Sequence, residues 1–209
     1  MSLSTFHTEG VLEVGLDEVA RGCIFGRTYA GAVIWPPDLT TPLVKDSKKY
    51  TKPSDREKAY EFIVENAIAY GVSYVESDQI DDTNIAKAIM TAMHQAIRNT
   101  NITPEHLLVD GNTFKPFCDL NDDFTQFTTV VGGDNKYYSI AAASVIAKVT
   151  HDRYIADLCD RHPILDRYDL RSNMGYGAPK HMAAIKEYGI TQFHRKSFKC
   201  CFDLPIQNI

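Results

Sequence analysis

No stretch of this chain is apolar for the roughly 18–20 residues that a bilayer-spanning helix requires. The longest such run, "YYSIAAASVIA", is short and is bounded by Lys136 and Lys148. The N-terminus, "MSLSTFHTEG", has no basic segment leading into an apolar one, so no secretory signal is expected. Cysteine is sparse: Cys23, Cys118, Cys159, Cys200 and Cys201 are an odd, scattered set without C-x-x-C spacing. That pattern reads as free thiols in a reducing compartment rather than a disulfide frame. Histidine offers no H-x-x-x-H pair, so zinc is not expected either. Repeats, low-complexity tracts and linkers are also missing. These absences lead to an expectation of a soluble cytoplasmic protein with no membrane association.

What is present is an ordinary globular composition, 44% apolar and 23% charged over 209 residues, enough for one substantial core. The net charge of -5 argues against a polyanionic partner until its distribution is read. Residues 1–144 carry 12 Lys/Arg against 20 Asp/Glu, whereas residues 145–199 carry 10 against 6. A basic C-terminal quarter beside an acidic body could form a phosphate-binding stripe, although most charge runs are solvated faces.

Strands are expected at "VLEVGLD", "TYAGAVIWPP", "GVSYVES", "EHLLVDG" and "FTQFTTVVGGD". Helix is expected over "PSDREKAYEFIVENAIAY", opened by a Ser54–Glu57 capping box, with Tyr60, Ile63, Ala67 and Ile68 at helical spacing. "TNIAKAIMTAMHQAIRN" places Ile85, Ile89, Met93, Ala96 and Ile97 on one helical face. A long helix over "YYSIAAASVIAKVTHDRYIADLCDRH" carries small residues suited to close packing on a sheet, and a last helix follows Pro179. Interleaved helices and apolar strands imply an α/β fold with a mixed five-stranded sheet flanked by helices. The expected division is a catalytic domain over residues 1–160 and a small helical C-terminal extension over 161–209, packed on the same domain.

Three apolar strands end in an acid: "VGLD", "LLVDG" and "VVGGD". One such Asp is explained by turn or cap chemistry. Three at the same polarity suggest that Asp17, Asp110 and Asp134 gather beyond strand ends, where α/β sheets place functional groups. Converging carboxylates repel, and a hard cation such as Mg2+ or Mn2+ resolves the conflict with all-oxygen ligands. Two such ions suit in-line phosphoryl displacement. Asp152 is a rival acid, but it sits four residues after Lys148, where an ion pair accounts for it.

The motifs "GLDEVARG", "VKDSKKYT", "LLVDG", "GGDNKYYSIAAASVIAKVTHDRY", "MGYGAPKH" and "FHRKSF" resemble, in order and spacing, the type 2 ribonuclease H family, ribonuclease HII. The resemblance runs from about Val14 to Phe198. It implies a ribonuclease H-like fold and two divalent metals held by Asp17, Glu18, Asp110 and Asp134 as the catalytic acids. It implies substrate contacts from the backbone turn Ala20, Arg21 and Gly22 at a ribonucleotide 2′-hydroxyl, from Lys48, and from Tyr176 against the sugar. The implied activity is hydrolysis of the RNA strand of RNA–DNA hybrids, and cleavage 5′ to ribonucleotides embedded in duplex DNA. The ends would be 3′-hydroxyl and 5′-phosphate, and the enzyme a monomer. Two positions depart from the family's bacterial pattern: Ala20 stands where glycine is usual, and Gly133 where lysine is usual. A nucleic-acid-binding module using the basic stripe, and another metal nuclease such as a resolvase or exonuclease, are the competing readings.

Overall fold

The computed structural model describes residues 3–119 and 123–209. Strands β1 (Glu13–Val19), β2 (Thr28–Ile34) and β3 (Ala69–Val75) form an antiparallel meander. On the other side of β1, β4 (His106–Asp110) pairs in parallel. Beyond it lie β5 (Phe117–Cys118) and β6 (Phe124–Val130), with β6 parallel to β4 and β5 antiparallel to β6. The order is β3-β2-β1-β4-β6-β5. The five expected strands are all present, but the sheet is six-stranded. The extra strand has two residues, too few to leave an alternating pattern in the sequence.

Six helices accompany the sheet among the described residues: α1 (Pro53–Asn66), α2 (Ser77–Asp82), α3 (Ile85–Arg98), α4 (Tyr138–Arg161), α5 (Leu170–Asn173) and α6 (Pro179–Tyr188). Helix α1 departs from expectation at both ends. Its N-cap is Lys52 with Pro53 in the first turn, and no side chain caps it. Glu57 instead pairs with Arg153 of α4 at 2.5 Å. At the other end Ile68 is half exposed, because its N–H has left the helix to donate to Ile34 O at 3.0 Å. Helix α2 was not expected; it opens with a Glu76–Gln79 capping box in a segment too polar to show apolar periodicity. The C-terminal segment is not wholly helical: β7 (Ile190–Thr191) and β8 (Ile206–Gln207) form a small parallel pair.

The two faces of the sheet are covered differently. On one, Val14, Leu16, Ala32, Leu107 and Val109 pack with Ile89, Met93 and Ile97 of α3. On the other, α4 lies almost in contact with the backbone. A Cβ on Gly15 would fall 2.3 Å from Ser139 C, and one on Gly31 would fall 2.4 Å from Ala143 O. That approach is why α4 spends its first turns on small residues. A third apolar cluster joins Ile24 and Phe25, between β1 and β2, to Ile155 and Leu158 of α4 and to Leu165, Tyr168 and Ile185. The segment after β1 is therefore built into the C-terminal part of the chain.

Candidate active site

Strands β1 and β4 run side by side with Leu16 opposite Val109, so Asp17 and Asp110 stand at adjacent positions where their pairing stops. Alternation along β1 puts Asp17 on the face of Gly15, against α4, and Glu18 on the face of Leu16, against α3. The adjacent acids thus straddle the sheet. The strand does not end between them, as the sequence suggested: β1 continues to Val19, paired with Tyr29 of β2. The turn comes at Ala20, in the left-handed region at φ 69°.

Asp134 reaches the same end of the sheet from a short 3-10 turn, Gly133–Asn135, that precedes α4. The Gly133 N–H donates to Asp110 Oδ1 at 2.7 Å, orienting that carboxylate from the backbone. A Cβ at this glycine would fall 2.5 Å from Ile140 Cδ1. Asp17 Oδ1 accepts the Glu18 N–H at 2.8 Å, and Asn135 donates to Asp134 Oδ1 at 2.8 Å.

The acids feel one another. Burial, then Glu18, Asp110 and Asp134, push the buried Asp17 carboxyl well above the ordinary Asp range. Burial also raises Glu18, with Arg21 opposing and Asp110 reinforcing. Asp134 is raised by burial, then by Asp46 and Asp110. Asp46, in the "VKDSKKYT" motif, is therefore a further carboxylate of this region. It caps the 3-10 turn Ser47–Lys49 through Lys48 N at 2.9 Å, and Ser47 N–H is anchored on Ser144 of α4 at 3.1 Å. This turn carries Lys48 to the acids: although desolvation opposes it, the fields of Asp17, Asp46, Asp134 and Asp110 raise the ammonium's pKa. Lys49 contacts Asn135.

As placed, no three His, Cys, Asp or Glu side chains among the described residues close into a metal-holding group. The donor set nonetheless fits a hard cation. It is all oxygen, it is gathered from two strand ends and one turn, and its charge is left partly unneutralised by Lys48 and Arg21. Asp152 is different. It accepts from Lys148 at 2.8 Å, Arg56 at 3.0 Å and His151 at 3.0 Å, and lies below its ordinary range despite its burial. Its contacts are those of the ion pair foreseen, extended by Arg56.

The turn after β1 meets the segment carrying Tyr176. Cys23 and Tyr176 form an antiparallel bridge, and Cys23 Sγ donates to Met174 O at 3.4 Å. A Cβ on Gly22 would lie 3.9 Å from Tyr176 Cε1. Burial, the Cys23 thiol and the Ala20 backbone act on the Tyr176 phenol, whose pKa is pushed up to about 12. Ala20, Gly22 and Tyr176 are thus one assembly. Arg21 is exposed beside a cleft of about 360 Å³ lined by Glu18, Asp110, Asn112 and Lys87.

Sequence reasoning missed what holds this assembly. Arg195 is fully buried and has no carboxylate partner among the described residues; it donates to the carbonyls of Gly26 (2.9 Å), Arg21 (3.1 Å) and Arg27 (2.9 Å). Asp81 of α2 fixes the next residues, accepting from Lys196 N and Ser197 N at 2.9 Å each. "FHRKSF" could be noted as a motif, but nothing in it says that its arginine serves a turn some 170 residues away.

The fold class is that of type 2 ribonucleases H: the ribonuclease H2 of Pyrococcus horikoshii superposes with a TM-score of 0.73 at 24% identity, over 90% of this chain and 94% of that one. The family profile of Ribonuclease HII matches residues 14–201. The Ribonuclease HII of Phocaeicola vulgatus is 43% identical over 94% of this chain and 93% of its own length. That of Bacteroides thetaiotaomicron is 41% identical over 96% of each. The chain belongs to the ribonuclease HII family, and is a ribonuclease H acting on RNA–DNA hybrids.

Proposed function

We propose that this ribonuclease H is a metal-dependent endonuclease that also cuts on the 5′ side of ribonucleotides embedded in duplex DNA, leaving 3′-hydroxyl and 5′-phosphate ends. The observation that carries the reading is the set of acids at one end of the sheet, Asp17, Glu18, Asp110 and Asp134, three of them raised by burial and mutual repulsion. Such a set is costly to the fold and useful to a cation. These four residues would hold Mg2+ or Mn2+, in a two-metal arrangement. Bound there, the ions would stabilise the attacking and departing oxygens of an in-line displacement at phosphorus.

The remaining roles belong to the chain itself. Asp17 and Asp110 would be the core ligands, while Glu18 and Asp134 would complete the set and orient water. Lys48, already drawn to the acids, meets the phosphate backbone. The turn Ala20–Arg21–Gly22 offers its backbone to the 2′-hydroxyl, the group that distinguishes RNA from DNA. Tyr176, about 40% exposed beside Gly22, packs against the sugar. Its accessible ring and its contact with the turn support that role.

The test is a duplex carrying one ribonucleotide, incubated with Mg2+, Mn2+ or chelator, with the cut mapped. Cleavage 5′ to the ribonucleotide that chelator abolishes is expected. Cleavage of hybrids without cleavage of this duplex would remove the finer activity, and activity in chelator would remove the metal site.

A further inference from the structure

Two buried histidines that bond to each other, His181 and His194, lie outside the acidic site, both fully shielded from solvent. Their hydrogen bonds run in one direction only. Tyr176 O is a carbonyl and accepts, so His181 Nδ1, 2.9 Å away, carries the proton and donates. Neutral His181 then has a bare Nε2, which accepts from His194 Nε2–H at 3.1 Å. His194 Nδ1 is left to accept, and it receives the Thr191 N–H at 2.9 Å and the Thr191 hydroxyl at 3.0 Å. Each ring nitrogen has a partner, and each tautomer is dictated by the next. The chain ends on the backbone of the tyrosine that lies against the turn after β1. Ala178 N–H supplies a second donor to the same carbonyl, at 2.8 Å.

We propose that His181 is a positioning residue for Tyr176: its Nδ1–H, its tautomer set through His194 by Thr191, fixes the tyrosine's backbone so that its ring stays against Gly22. The inference rests on the reading of Tyr176 as a substrate contact. Burial supports the neutral state of both rings, with His194 pushed down to about 3 and His181 also lowered. The charged and titratable groups facing the pair are Arg167 toward His194, Asp169 toward His181, and the Tyr168 ring against both. Met174 is left-handed at φ 50° and Gly175 at φ 82°, so the segment entering Tyr176 is bent; Asn173 O holds the Tyr176 N–H at 3.0 Å, and His181 acts on the carbonyl side of the same residue.

The two amide replacements of histidine separate the functions of its two nitrogens. His181→Asn keeps a donor near the Nδ1 position; His181→Gln places its amide near Nε2 and loses the bond to Tyr176 O. Steady-state cleavage of a single-ribonucleotide duplex is measured for both, alone and combined with Tyr176→Ala. His181→Gln is expected to raise KM about fivefold with kcat little changed, the scale of one lost hydrogen bond. His181→Asn should restore KM, and the Gln effect should vanish in the Tyr176→Ala background. If Tyr176→Ala raises KM but Gln and Asn behave alike, or the Gln effect persists without the ring, the positioning role is overturned. If Tyr176→Ala leaves KM unchanged, the substrate contact itself is wrong. Should His181→Gln fail to fold, Thr191→Val tests the far end of the chain: a smaller KM rise that Tyr176→Ala abolishes supports the relay, and an unchanged KM overturns it.

Discussion

The two ends of this molecule handle buried polar groups in opposite ways. At the acidic end of the sheet, Asp17, Glu18 and Asp134 are held where burial and like charge both disfavour their ionised forms. In the C-terminal region, Arg195, His181 and His194 are buried as deeply, yet their hydrogen bonds are met by carbonyls, a hydroxyl and each other. A fold tolerates unmet charge only where something else compensates, so the contrast separates the place of chemistry from its support. It also gives the two regions opposite pH signs. Carboxyls whose pKa is raised by folding favour the folded state as pH falls; histidines whose pKa is lowered disfavour it.

The sharpest way to break the contrast is to neutralise the acidic end. Asp110→Asn is expected to lower cleavage of hybrid by about a thousandfold, the scale on which one charge-stabilising group acts. Duplex binding should persist, which separates this reading from that of a pure binding module. With Asp110 gone, one of the charges raising Asp17 is gone too, so the variant should melt higher than the parent in chelator. Cleavage at the parental rate would remove Asp110 from the site.

The opposite experiment leaves the satisfied region unsatisfied. Arg195→Met keeps bulk but strands the carbonyls of Gly26, Arg21 and Arg27, so a loss of about 3 kcal/mol is expected from chemical denaturation. Because those carbonyls flank the turn after β1, KM should rise as well. A variant that binds and melts like the parent would show that the turn holds itself.

A pH experiment then compares the regions directly. Unfolded histidine takes up protons near pH 6.5, whereas His194 resists them until about 3 and His181 is also lowered. Their contribution to stability is full above about pH 6.5 and is lost as pH falls from there toward the folded pKa. Asp17 acts the other way: its raised pKa makes the fold more tolerant of acid. In Asp17→Asn this offset is removed, so the melting temperature should fall more steeply than in the parent as pH falls from about 6.5 toward about 4, the ordinary histidine and aspartate values. Parallel curves would show that the Asp17 carboxyl does not titrate as described.

Much of the acidic end was legible in the sequence because strands betray themselves locally. "LLVDG" is an apolar run that stops at an acid; the strand read in "VVGGD" ends at Val130, short of Asp134, which the following 3-10 turn carries to the same end of the sheet. The small residues of "SIAAAS" likewise announced the close approach of α4 to Gly15 and Gly31. What stayed hidden is held by contacts distant in sequence. Arg195 reaches carbonyls across some 170 residues, Asp81 anchors Lys196 and Ser197, and Asp46 joins the acids through a turn anchored on α4. Their partners are backbone atoms, which carry no residue signature. The Ser54–Glu57 capping box failed for a related reason: Glu57 found a tertiary partner in Arg153.

The smallest expected effect falls on the residue that joins the two regions. Ala20 follows the acidic pair, contacts Tyr176 through its backbone and sits at φ 69°, where a Cβ costs about 1 kcal/mol. Glycine removes that cost in the folded state but adds freedom to the unfolded chain, so Ala20→Gly is expected to stabilise by less than about 1 kcal/mol. The consequence for recognition is separate. Ala20 is almost fully buried, so its methyl fills space at the turn proposed to meet the 2′-hydroxyl. Removing it should let the backbone of Arg21 and Gly22 shift against Tyr176 and change the preference for one embedded ribonucleotide over several, with kcat on hybrid little altered. Competition between a single-ribonucleotide duplex and a four-ribonucleotide duplex reads this out. An unchanged ratio, with the stability gain present, would assign the left-handed alanine to backbone geometry alone and free it from any part in selectivity.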